Sequence, residues 1–147
     1  MYQRIVVLLF VVLTSCITEE PKFTIPYAPV RFSVDLNGVD SDMYPLSYKI
    51  FTRPRAINEY VGYGGLLIFR NHENKIFAYD LCCPHEDDKN IRVKMVDNIS
   101  AQCEVCGSLF EVMSGLGIKQ SGVSSENLQR YRVDTSGRTG AYMIRNL

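Results

Sequence analysis

The feature that most constrains the fold is a series of short apolar segments, broken by turn signals about every eight to twelve residues, with almost no helical periodicity between them. VRFSVD (residues 30–35) alternates apolar and polar side chains and runs towards Asn37-Gly38, a turn pair. YKIFT (48–52) reads as a second strand. GGLLIFRN (64–71) is almost continuously apolar, as a central strand is, and HENK joins it to KIFAYDL (75–81) as a hairpin. VKMVD (93–97) and ISAQC (99–103) flank Asn98 as another hairpin. SLFEVM (108–113) alternates and stops at Ser114-Gly115. LQRYRVDT (128–135) and AYMIRNL (141–147) form a closing hairpin around Gly137 and Gly140. Residues 119–127, polar and rich in serine, read as a loop, and residues 55–60 as a short helical turn. The pattern predicts an all-β fold, an antiparallel sandwich or barrel, over residues 30–147.

The chain has five cysteines and two histidines, and most of them fall in two clusters. CCPHE (82–86) contains Cys83-x-His85. CEVC (103–106) contains Cys103-x-x-Cys106, seventeen residues further on. Both clusters follow strands, so two loops can meet at one tip of the fold. Thiolate and imidazole together select zinc or iron–sulfur over calcium or magnesium. Four such ligands suit a tetrahedral zinc ion, or two irons bridged by two sulfides. A metal-free chain with Cys103 and Cys106 as a disulfide is a third reading for an exported protein. Cys82 adjoins Cys83, and strand alternation points the two in opposite directions, which makes Cys82 a small buried hydrophobe. His72 lies in the HENK turn and reads as solvated, as do the acids at 86–88. Phe69, Phe77 and Tyr79 read as core.

With GGLLIFRN and KIFAYDL leading into CPH, and CxxCGSLFEVMSG following, residues 30–147 resemble a Rieske-type [2Fe-2S] domain. The resemblance implies that Cys83 and Cys103 hold one iron while His85 and Cys106 hold the other. Cys106 stands where the family has a second histidine, so the implied cluster has three cysteines and one histidine. Three thiolates leave it more negative than a two-histidine centre and less negative than an all-cysteine one. The implied potential therefore lies between about −400 mV and the Rieske range of about −150 to +300 mV. Ser108 matches the serine whose hydroxyl donates to a bridging sulfide, and Phe110 stands where high-potential members have a tyrosine. Asp87 replaces a glycine of the first loop, so that loop's turn is expected to differ. The implied activity is single-electron transfer with a redox partner protein that the sequence does not name. Zinc, or no metal, at the same residues gives a non-redox structural or binding protein. An oxygenase catalytic subunit is excluded, because the chain has neither the second domain nor the histidines for a two-histidine, one-carboxylate iron site.

The N-terminus reads separately. MYQRIVVLLFVVLTSC has a charge at Arg4, an apolar stretch too short to span a bilayer as a helix, and then small residues. Residues 1–15 are expected to be a signal peptide, with Cys16 lipidated in the manner of a bacterial lipoprotein. Residues 16–29, with three prolines, form an anchor and tether. Ile17 follows the anchor, not aspartate, which favours the outer membrane over retention at the inner one. Formal net charge is zero, and the sequence shows no basic stripe, so nucleic acid is not an expected partner.

Overall fold

The computed structural model describes residues 25–147. The expected signal peptide, the expected lipidation site at Cys16 and the tether as far as residue 24 lie outside the described residues. Eleven strands and no helix make up the described chain. They are β1 (Val30–Asp35), β2 (Ser47–Phe51), β3 (Tyr60–Val61), β4 (Leu66–Arg70), β5 (Ile76–Asp80), β6 (Val93–Met95), β7 (Ser100–Cys103), β8 (Leu109–Glu111), β9 (Lys119–Ser121), β10 (Arg130–Thr135) and β11 (Ala141–Arg145). The all-β expectation holds, and every strand pair is antiparallel.

Seven strands form one sheet in the order β2-β4-β5-β10-β11-β1-β3, and four form another in the order β6-β7-β8-β9. The large sheet curls on itself. Phe51 of β2, at one end of that order, and Phe32 of β1, one strand from the other end, have ring centroids only 4.5 Å apart. Phe32, Val34, Leu66, Ile68, Ala78, Tyr131 and Ile144 fill the inside of the curl. The small sheet packs on the outside of β4 and β5. There Leu67, Phe69 and Tyr79 meet Val93, Ala101, Phe110 and Val112 in a second core. The odd residues of β4 and β5 thus point to one core and the even residues to the other, which explains why GGLLIFRN is apolar throughout.

A polar clasp closes the seam of the curl. Asp40, wholly buried, accepts the backbone N–H of Asp35 on β1 (3.0 Å) and Lys49 Nζ of β2 (3.1 Å). It also accepts Arg55 Nη1 at 2.9 Å, and the Arg55 guanidinium lies over the rings of Phe32 and Phe51. Burial alone pushes the Asp40 carboxyl up, but Arg55, the Asp35 N–H and Lys49 together hold it below the usual carboxylate range. Its contribution to stability is therefore complete above the unfolded carboxyl's pKa, about 4, and is lost as pH falls through the lower folded value. Asp40→Asn is expected to cost about 2 kcal/mol at neutral pH. Urea unfolding of the two proteins at pH 7 and again below pH 3 should show that gap narrowing in acid.

Two expectations need correction. Residues 55–60 are not helical. The Glu59 carboxylate takes the N–H groups of Arg55 (2.9 Å), Ala56 (3.2 Å) and Ser33 (3.2 Å), and the chain then pairs with β1 as β3. Residues 119–127 are not all loop either. They contain β9, which pairs with β8 across a bulge, and this edge position needs no apolar alternation.

Candidate metal centre

The first cysteine cluster sits where the chain leaves the large sheet for the small one, between β5 and β6, and the second sits in the turn between β7 and β8 of the small sheet. The first follows β5. Asp80 ends that strand on its inner face, wholly buried, and organises the departure of the chain. Its Oδ1 accepts the N–H of Cys82 (2.7 Å) and of Gly64 (2.9 Å), while Oδ2 accepts the Tyr63 N–H (2.9 Å) and the Tyr131 hydroxyl (2.5 Å). The fit at Gly64 is close, since a Cβ there would stand 2.4 Å from the Cys82 nitrogen. Beyond Asp80, the Val93 N–H donates to the Leu81 carbonyl (2.8 Å) and the Cys83 N–H to the Ile91 carbonyl (3.0 Å), which ties the first loop to the start of β6. The second cluster begins at Cys103, the last residue of β7, which pairs with Val93 of β6. The β6–β7 hairpin therefore carries the second loop back to the first.

The two loops make the same turn. The Asp87 N–H donates to the Cys83 carbonyl (3.1 Å), and the Gly107 N–H donates to the Cys103 carbonyl (3.0 Å). Each turn closes on a residue of positive φ, 50° at Asp87 and 72° at Gly107. Aspartate is among the few side chains that enter the left-handed region readily, so it keeps the conformation a glycine would supply.

The Sγ atoms of Cys83, Cys103 and Cys106 lie within 4.8 Å of one another, with Cys83 and Cys106 at 3.6 Å. All four described cysteines are unbridged. This trio could hold a metal ion. Cys83 and Cys103 are wholly buried, and Cys106 is partly exposed. The fourth expected ligand, His85, stands on the first loop but is exposed and outside the sulfur group. Cys82 is also outside it. Its Sγ faces the carbonyls of Cys83 (3.5 Å) and Asp88 (3.3 Å), as its reading as a buried bystander requires.

The thiols differ in acidity. Burial pushes Cys83 up to about 12; the N–H groups of Glu86 and His85 pull against this, and the Cys103 and Cys106 thiols add to it. Burial and then the charge of Asp80 push Cys82 up to about 12. Cys106 moves the other way. Burial opposes its ionisation, but the Ser108 hydroxyl and N–H, with the Cys83 and Cys103 thiols, outweigh it and lower its pKa. Ser108 Oγ is 3.2 Å from Cys106 Sγ and accepts the Ser124 N–H at 2.9 Å. The Cys106 thiol donates to that oxygen, and once the thiol ionises the hydroxyl proton is free to turn to the sulfur. The loop that delivers Ser124 passes very close, since a Cβ on Gly122 would stand 2.4 Å from Ser108 Cα.

Sequence reasoning missed Asp80, Ser124 and Gly122. Asp80 carried a usable signal, an acid at an inward position of an otherwise apolar strand. Ser124 and Gly122 lie in a polar stretch where nothing marks them. Compared with known proteins, the chain matches no family model, and no curated protein matches it either.

Proposed function

We propose that the chain is a Rieske-like electron-transfer protein with one [2Fe-2S] cluster between the two loops, held in the cell envelope by a lipid on Cys16. The observation that carries this reading is the convergence of three cysteines from two matching turns, with the inner positions buried and the outer ones open. Cys83 and Cys103 form the inner pair, His85 and Cys106 the outer pair. That is the layout needed when each loop gives one ligand to each of two irons. When bound, the cluster supplies reversible one-electron chemistry.

The chain's own residues set the terms of that chemistry. Leu81, Val93 and Phe110 belong to the same core as the inner cysteines and keep water from them. The N–H groups of His85 and Glu86 favour negative charge on Cys83 Sγ, and Ser108 Oγ lies within hydrogen-bond distance of Cys106 Sγ. Such bonds favour added negative charge and raise a potential. Three thiolates, and the lack of a hydroxyl at Phe110, lower it. The exposed side of His85 and Cys106 is where an electron enters or leaves, and the partner is a redox protein that meets this tip.

One observation favours a second reading. The 3.6 Å between Cys83 and Cys106 Sγ is close to the ~3.8 Å expected of two thiolates on one tetrahedral zinc. Two irons require Cys106 to stand further out. Under that second reading Cys83, Cys103, Cys106 and His85 hold a single structural zinc, and the protein carries no electrons.

Cys106→His separates the two. A neutral imidazole in place of a thiolate makes the cluster less negative. Redox titration is expected to show a higher potential that falls with rising pH as the imidazoles deprotonate. An unchanged potential removes Cys106 from the ligand set. No redox signal in either protein points to zinc or to no metal at these residues, which metal analysis separates.

A further inference from the structure

The outer face of the large sheet is only half covered. The small sheet packs over β4 and β5, whereas β10, β11 and β1 bury Tyr131, Ile144 and Phe32 on one side and leave the other side to solvent. On that open side the strand register sets Arg132 opposite Arg145, and Arg145 opposite Arg31. Three arginines thus stand in one row, stepped by the strand spacing of about 4.8 Å. Arg130 follows on the same face, two residues before Arg132. No basic stripe is visible along the sequence because these residues come from three strands and the fold alone brings them together. Arg31, Arg132 and Arg145 are all exposed. One carboxylate answers them: Asp134 Oδ1 lies 2.8 Å from Arg132 Nε, and its Oδ2 lies 3.9 Å from Arg145 Nε.

Like charges directly opposite on neighbouring strands cost stability, so folding does not account for the row. Its position suggests what does. A shallow depression of about 430 Å³ in the row is lined by Val30, Arg31, Met143, Arg145 and Asn146. Tyr27 lines a smaller one with Arg130 and Leu147. Tyr27, near the start of the described residues, therefore lies beside the arginine face.

We infer that this face rests on the anionic phospholipid headgroups of the membrane that holds the anchor. The guanidinium fork matches phosphate oxygens in shape and charge. Eight residues separate Cys16 from Ile25, which is already buried in the domain, and fully extended they reach about 28 Å, enough for the face to lie on the bilayer. Each arginine near an anionic surface strengthens binding about fivefold, and a tether on the same surface makes so weak an attraction sufficient. The choice of occupant rests on the lipid-anchor reading; the metal centre plays no part in it.

The test is co-sedimentation of the purified full-length chain with two kinds of vesicle, pure phosphatidylcholine and phosphatidylcholine containing one-third phosphatidylglycerol. At low salt the chain is expected to partition at least about tenfold more strongly onto the anionic vesicles. That preference should vanish in R31Q/R132Q/R145Q and fade in high salt. Equal partition onto both vesicles, or an unchanged preference in the triple variant, overturns the inference. So does saturable displacement from the vesicles by inorganic phosphate at matched ionic strength, which would mark a small-anion site. The mass of the natively expressed chain reports the lipid on Cys16 separately. A chain without lipid that keeps the anionic preference supports the face and removes only the anchor.

Discussion

Cys103→Ser is expected to lose bound metal almost completely, with affinity falling by more than about a hundredfold, while Cys82→Ser keeps its metal. The two sulfurs are equally buried, so burial does not separate them. Direction does. Cys103 Sγ lies with Cys83 and Cys106, and Cys82 Sγ faces the carbonyls of Cys83 and Asp88. A serine hydroxyl is a poor ligand for a soft site, and loss of the thiol removes one of the three grouped sulfurs. At position 103 it would also be stranded among Val93, Ala101 and Phe110, at a cost of about 1–3 kcal/mol. At position 82 the same hydroxyl can donate to the carbonyls that already surround the sulfur. Metal content of the two variants after gel filtration decides the matter. Equal loss in both would mean that Cys82 belongs to the site.

The largest effect on stability is expected from Asp80→Ala. One carboxylate serves three backbone N–H groups and the Tyr131 hydroxyl, all in or beside the core of the curled sheet. Without it, these donors lose their acceptor where water has little access, and the cost is about 4 kcal/mol. Asp80→Asn keeps the shape and one carbonyl oxygen, so it should cost about half as much. The damage should also reach the metal centre, because the Cys82 N–H is the point at which Asp80 aims the first loop. A drop of about tenfold in metal affinity is expected in Asp80→Ala, the size usual for groups that orient ligands. Denaturant midpoints give the first figure and competition with a chelator the second. An Asp80→Ala protein as stable as the wild type would show that these hydrogen bonds do not support the loop.

The two sheets were legible in the sequence to the extent that side-chain alternation reports burial. β1, β4, β5 and the last hairpin have clear apolar patterns because each faces a core. β9 has none, since it is an edge strand of a small sheet and its side chains are largely exposed. The turn at residues 55–60 was misread because Glu59 satisfies its N–H groups from a side chain, which leaves no trace in periodicity. At the site, spacing points to Cys83, His85, Cys103 and Cys106, and with strand alternation sets Cys82 aside; the fold brings the three cysteines together and leaves His85 exposed outside their group. Spacing could not show that Asp87 and Gly107 close the same turn, because that equivalence lies in backbone angle and not in residue type. Nor could it assemble Arg31, Arg132 and Arg145, which only strand register places side by side.

Iron, zinc and acid-labile sulfide analysis of the chain purified without oxygen decides whether the two loops hold a two-iron, two-sulfide centre. About two irons and two sulfides per chain are expected if they do. One zinc per chain, or no metal at all, would contradict such a centre.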